Sequence, residues 1–235
     1  MPEIKHKAEL AYLRALTFVR RRGDMTEIKH KAELAYWRSV SRRESGKMTN
    51  DHYAWFYTSH FGLSPSDYDG RRILDIGCGP RGSLEWADMA SERVGLDPLV
   101  DEYQELGIGQ HKMTYVRAGS ESIPFPDGHF DLVASFNSLD HVDDVDATIV
   151  EIARVTAPSG LLLLISDIGH DPTFTEPLSF SWDIIDRFTD FDVIESRHLE
   201  KPIDSVYASV KAAVPYDHAD PRKRYGIISA KLQRR

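Results

Sequence analysis

Apolar residues along this chain fall into two alternating patterns. Short, nearly unbroken apolar runs recur at 73–76, 93–97, 113–117, 130–136, 161–166, 191–197 and 225–232. The run at 161–166 (L-L-L-L-I-S) has no polar alternation, which predicts a strand buried on both faces of a parallel sheet. Between the runs, helical spacing predicts helices over 83–90, 100–106, 145–155 and 182–188, the third ended by Ala157-Pro-Ser-Gly160. Residues 206–214 read equally as strand or helix. Strands alternating with helices predict an α/β fold with a doubly wound, seven-stranded sheet and right-handed crossovers. The last strand follows no clear helix, so it is expected to run antiparallel to its neighbour.

Ahead of this pattern lies an exact repeat. Glu3-Ile-Lys-His-Lys-Ala-Glu-Leu-Ala-Tyr12 returns unchanged as residues Glu27 to Tyr36. Both copies are rich in strong helix formers, yet two units are too few for a solenoid. Met25 precedes the second copy, and that copy runs on through Trp37 into the aromatic segment 50–61 (N-D-H-Y-A-W-F-Y-T-S-H-F). Tyr53, Phe56 and Tyr57 share one face at helical spacing. The expected organisation is therefore a duplicated helix at 1–24, a helical lid at 25–66 and the α/β domain at 67–235. The duplicated helices also offer a surface for a homodimer.

Composition narrows the class. The 235 residues are 41% hydrophobic and 28% charged, ordinary for a water-exposed globular chain. No apolar stretch reaches membrane-span length, and the charged N-terminus has no signal core, so a cytoplasmic location is expected. Cys78 is the sole cysteine. It excludes an internal disulfide and reads as a small spacer between two glycines. The net charge of −8 is uneven, with basic ends (Arg20-Arg-Arg22, Arg42-Arg43, Arg222-Lys-Arg224) around an acidic body. That body argues against nucleic acid as partner, which needs a continuous cationic surface.

The chemistry concentrates at 72–84, R-I-L-D-I-G-C-G-P-R-G-S-L. An apolar strand carrying Asp75 turns through Gly77, Gly79 and Gly82, where glycine permits positive φ and close approach to a ligand. About twenty residues on, Arg93-Val-Gly-Leu-Asp97-Pro98 reads as a second strand ending in an acid placed for ribose hydroxyls. Residues 118–135, beginning A-G-S-E-S-I-P-F-P-D-G and ending in the fourth strand, follow in order. From 71 to 164 this series resembles the class I S-adenosylmethionine-dependent methyltransferases, small-molecule type, related to the ubiquinone and menaquinone methylases. The resemblance implies a Rossmann-like sheet, S-adenosylmethionine as cofactor and S-adenosylhomocysteine as product.

By the same resemblance, Asp75 accepts from the cofactor's ammonium or orders the glycine loop, Gly77 and Gly79 take the methionine part, and Asp97 takes the ribose. Arg81 stands where the family loop has its third glycine. Either Gly82 substitutes for it or the guanidinium reaches the cofactor carboxylate. Pro98 walls the adenine, Ser120 and Glu121 occupy the adenine loop, and Phe136 and Asn137 approach the methionine part. Tyr53 and Tyr57 are expected on the lid, touching cofactor or substrate.

Asp140 and His141 form the first ionisable pair beyond the fourth strand, and His141 is the candidate general base. Asp167 and His170 follow the fifth strand, but the spacing of these four residues matches no compact ligand motif, so no metal is expected. The leading reading is methyl transfer to an oxygen, nitrogen or carbon of a small organic substrate. The alternatives are an RNA-modifying methyltransferase and a non-catalytic cofactor-binding partner protein. Phe136-Asn-Ser-Leu139 replaces the Asn/Asp-Pro-Pro-aromatic tetrad of amino-directed nucleic-acid methylases, which lowers the RNA reading.

Overall fold

The computed structural model describes residues 22–203, 205–222 and 224–235, with side chains from residue 26 onward. The first copy of the repeat lies outside the described residues. The second copy lies within α1 (Arg22–Arg43), and the aromatic segment forms α2 (Tyr53–Tyr57), whose buried residues are Tyr53, Phe56 and Tyr57.

Seven strands follow: β1 (Arg72–Ile76), β2 (Glu92–Leu96), β3 (Thr114–Val116), β4 (Phe130–Phe136), β5 (Thr156–Ile168), β6 (Phe191–Glu200) and β7 (Gly226–Arg234). Their order across the sheet is β3-β2-β1-β4-β5-β7-β6. The first five are parallel, and β7 runs antiparallel to both β5 and β6. The sheet carries α3 (Val100–Tyr103), α4 (Val145–Val155) and α5 (Val206–Ala212). The Rossmann-like sheet with an antiparallel last strand is as expected.

Period-two alternation sorts the strand residues onto two faces. Leu74, Ile76, Leu162, Leu164, Ile228 and Ala230 pack with Ile149, Ile152 and Ala153 of α4. Ile73, Ala134, Leu163, Ile165 and Ile227 pack on the other face with Phe56, Tyr57 and Phe61 and with Val206 and Val210 of α5. Asp75 therefore faces the aromatic layer, on the same side of β1 as Ile73.

The helix expected over 83–90 is absent; consecutive turns replace it. Bonds from Glu85 N to Gly82 O, Ala87 N to Leu84 O and Ala90 N to Ala87 O close three-residue steps. The carbonyls of Leu84 and Glu85, which helix bonds would need, accept instead from the Arg93 guanidinium at 3.4 and 3.1 Å. The predicted helix at 182–188 is a 3-10 helix (Trp182–Arg187), and the open segment at 206–214 is α5, capped by Ser205 accepting from Ala208 N at 3.3 Å.

Candidate active site

The carboxyl ends of β1, β2, β4 and β5 open onto one cavity of about 790 Å³, roofed by α1 and edged by α2 and α5. That volume lies within the range of about 300–1,000 Å³ usual for small-molecule sites. Acids dominate its charged lining: Glu33, Asp97, Glu121, Asp143, Asp167 and Glu176, against Lys29 and Lys201. Such a lining favours a cationic guest.

Its floor is the glycine turn after β1. Gly77 takes φ +69°, and a Cβ there would stand 2.3 Å from Cβ of Ser138. Gly79 takes φ +57°, and a Cβ would press on the Trp37 ring at 2.9 Å. These two backbones are bare because the loop after β4 and the lid helix close on them. Asp97 fixes the turn from the side. Its Oδ2 accepts from Gly79 N at 3.1 Å and its Oδ1 from Leu99 N at 2.9 Å, and the Tyr103 hydroxyl donates to it as well. Burial holds its carboxyl at about 6 despite these donors.

Three residues expected at the cofactor lie outside the lining. Asp75 sits beneath the turn, where it accepts from the hydroxyls of Ser83 and Tyr57. Burial raises it to about 7. Of its two expected roles, this position serves the ordering of the loop, and Tyr57 is taken up by the same contact. Arg81 is taken up outside the lining, over the ring of Trp37 at 5.8 Å. Its guanidinium donates to Glu44 at 2.5 and 2.9 Å and to the Thr49 carbonyl at 2.9 Å. Gly82, at φ +73°, supplies the third glycine conformation of the turn instead.

Apart from buried Asp140, which lies outside the lining, the remaining expected residues line the cavity: Tyr53, Pro98, Ser120, Glu121, Phe136, Asn137 and His141, besides Gly77, Gly79 and Asp97. Two of them have side chains committed elsewhere. Ser120 Oγ pairs with Thr148 Oγ1 at 2.9 Å, and Glu121 Oε1 accepts from the amides of Asp143 and Asp144 at 2.8 and 3.3 Å. What Ser120 presents to a guest is backbone. Asn137 is held at φ +54°, a conformation asparagine tolerates, and its buried Oδ1 has no hydrogen-bond partner among the described residues.

A second group of ionisable side chains stands at the β4–β5 end. Asp140 is fully buried, and among the described residues no side chain donates a hydrogen bond to either carboxylate oxygen. His141 Nε2 lies 3.9 Å from Asp140 Oδ1 and 3.8 Å from Glu176 Oε1; its Nδ1 faces Glu33 Oε2 at 4.0 Å. His170 Nε2 approaches Asp140 Oδ2 at 3.5 Å. Asp167 is paired with Lys201 beside them. Burial, Glu176 and Asp167 raise Asp140 to about 7, whereas burial lowers His141. The imidazole is thus biased toward its neutral form.

Several lining residues had no motif to announce them. Lys29 and Glu33 come from the repeat, which the sequence marks only as helical. In the fold, Lys29 Nζ donates to the His141 carbonyl at 2.8 Å and to Asp143 at 2.5 Å, which ties the lid across the cavity. Burial raises Glu33, which also accepts from Trp37. Tyr103 and Tyr207 come from α3 and α5, and Glu176 and Lys201 from connecting segments of low pattern content. The one available signal was the i, i+4 spacing of Lys29, Glu33 and Trp37, which sets them on one side of a helix.

An open parallel sheet with a glycine turn, a strand-end acid and a crevice at its carboxyl edge defines a nucleotide-type cofactor-binding α/β protein. A methyltransferase-domain family model matches residues 74–164. An uncharacterised methyltransferase of Mycobacterium sp. (strain JLS) is 30% identical over 172 residues, covering 70% of this chain and 66% of that protein. A ubiquinone/menaquinone biosynthesis C-methyltransferase of Shewanella piezotolerans is 37% identical over 97 residues, covering 40% of this chain and 37% of that protein. The chain thus spans just under two thirds of the first relative's length and about a third of the second's. In fold, it is similar to an S-adenosylmethionine-dependent methyltransferase from Mesorhizobium loti, with a TM-score of 0.54 and 19% identity over 72% of this chain and 93% of that one. Residues 74–164 thus carry a methyltransferase domain, and the chain is similar to S-adenosylmethionine-dependent methyltransferases in sequence and in fold. No described helix is long and apolar enough to cross a membrane.

Proposed function

We propose that this protein binds S-adenosylmethionine in the 790 Å³ cavity and directs methyl transfer to an oxygen, nitrogen or carbon of a small organic acceptor. The observation that carries the reading is Asp97. Its buried carboxylate lies in the lining, bonded to the glycine turn through one oxygen and to Leu99 through the other. The residues fit the cofactor. Gly77 and Gly79 leave backbone bare for its methionine part, Pro98 and Leu99 wall its base, and the unpartnered Asn137 Oδ1 can accept from an ammonium.

The cofactor's sulfonium supplies an activated methyl group with a good leaving group, so the chain need supply no covalent catalyst. What its residues contribute is alignment and exclusion of water. Asp97 and the turn fix one end of the guest, while Trp37 and Tyr36 of α1 roof it and Tyr53 and Tyr207 close the side. Lys29 latches the roof onto the segment after β4. His141 and Glu176 line the acceptor's end, with Asp140 buried behind them, and His141 takes up the proton of an acceptor that carries one.

The acidic lining disfavours a phosphate backbone, which supports a small molecule over RNA as substrate. The single cysteine supports a reducing, cytoplasmic setting, and the repeat supports a homodimer contact through the N-terminal helices. Native mass spectrometry of the purified protein tests the reading. Retained S-adenosylmethionine or S-adenosylhomocysteine is expected. A protein that neither retains nor takes up either compound contradicts the reading.

A further inference from the structure

Asp140 cannot stay as it stands. It is wholly buried, no side chain among the described residues donates a hydrogen bond to either of its oxygens, and the carboxylates of Glu176 and Asp167 lie nearby. A buried carboxylate whose nearest cationic partner is a histidine 3.5 Å away is costly, and a second acid beside it adds to the cost. Lys201, the neighbouring lysine, is already spent on Asp167. The buried Nε2 of His141 likewise has no partner, although it faces both Asp140 and Glu176. One imidazole nitrogen and two carboxylates therefore converge, with one donor atom from each within 4.8 Å of the others.

We propose that Asp140, His141 and Glu176 bind a divalent first-row transition-metal cation. Two ligands at about 2.1 Å from such an ion, in tetrahedral arrangement, are about 3.4 Å apart. The separations of 3.8 and 3.9 Å around His141 Nε2 need contract by only a few tenths of an ångström. A donor set of one imidazole and two carboxylates suits manganese, iron(II) or zinc better than the softer copper(I). Neighbouring groups orient the ligands. With the ion on Nε2, the hydrogen of the neutral ring lies on Nδ1, where Glu33 stands 4.0 Å away to accept it. His170 Nδ1 meets the Asp171 carbonyl at 3.1 Å, and its Nε2 braces Asp140 Oδ2 from behind at 3.5 Å. Three protein ligands leave the remaining positions to water or to an oxygen of a bound molecule, and His141 and Glu176 reach the cavity. The bound ion would thus present a Lewis acid to an oxygen-bearing acceptor. That role rests on the methyl-transfer reading, whereas the binding of the ion does not.

The test is titration of the full-length protein with Mn²⁺, followed by the electron paramagnetic resonance signal of the free ion, and with Zn²⁺ by calorimetry. One saturable equivalent is expected for each, with affinity at least tenfold weaker in Glu176→Gln and in His141→Ala. Glu176 lies on a partly exposed loop, so its variant keeps the test informative where replacement of buried Asp140 would unfold the chain. Absence of saturable binding overturns the proposal, as does binding that neither variant weakens. S-adenosylhomocysteine binding is measured on the same samples. Metal uptake without it leaves the metal site standing and removes the methyl-transfer reading; the reverse result removes the metal site alone.

Discussion

Asp97 Oδ2 accepts the amide hydrogen of Gly79 at 3.1 Å, so the acid that ends β2 holds the turn that follows β1. The two strands are parallel neighbours, with Ile76 opposite Leu96 in register, which brings their ends together. The strand-end acid and the loop it holds are therefore one unit. A change at either should be felt at both.

Gly77→Ala tests the tightness of that unit. The added methyl would meet Ser138 Cβ at 2.3 Å, and φ +69° is unfavourable for alanine. Backbone strain of this kind costs about 1–3 kcal/mol, and the overlap adds to it. A clear fall in the thermal midpoint is expected, with weaker S-adenosylhomocysteine binding in the fraction that folds. Differential scanning calorimetry and a binding titration check both.

Asp75 predicts a pH dependence. Its folded-state value of about 7 lies above the unfolded aspartate value of about 3.9. The folded chain holds this proton more tightly, so its contribution to stability is complete below about pH 4. It is lost as pH rises through about 7. Asp75→Asn should therefore flatten the decline of the thermal midpoint between pH 4 and 7, measured against the parent protein across that range. An unchanged slope would show that Asp75 is ionised throughout.

Truncation to Met25 should leave S-adenosylhomocysteine affinity unchanged, because the lining residues contributed by the repeat, Lys29 and Glu33, belong to its second copy. Calorimetry on the shortened protein checks this. Lys29→Ala in the same background should weaken binding, since the lid loses its bonds to His141 and Asp143.

For the chemical step, His141→Ala should lower the single-turnover rate by roughly 10²–10⁴-fold, more than Tyr53→Phe or Tyr57→Phe. Tyr53 lines the cavity, whereas Tyr57 is engaged beneath the turn with Asp75. A near-parental His141→Ala rate would leave alignment alone as the source of catalysis.

The sheet was legible because buried parallel strands are written as apolar runs, and β5 at 161–166 is the plainest case. Its extension back to Thr156 was hidden behind Pro158 and Gly160, which read as a helix stop. The segment after β1 misled because its composition suits a helix, while the Arg93 guanidinium, nine residues beyond Leu84, captures the carbonyls that a helix would use. Local pattern cannot register a competitor supplied by the next strand. Asp75 and Arg81 were likewise legible as members of a motif but not in direction. Strand alternation turns Asp75 to the aromatic face, and Glu44, from the segment just after the lid helix, takes up the Arg81 guanidinium. The Asp140, His141 and Glu176 group was invisible as a set because Glu176 comes from an irregular loop whose position depends on the tertiary fold.

The most direct measurement is calorimetric titration of S-adenosylhomocysteine into the parent and into Asp97→Ala. Loss of hydrogen bonds to a charged group costs about 1.5–3 kcal/mol, so affinity should fall by roughly 10- to 150-fold in a variant that circular dichroism shows to be folded. A folded Asp97→Ala that binds as tightly as the parent would contradict the placement of the cofactor at the glycine turn.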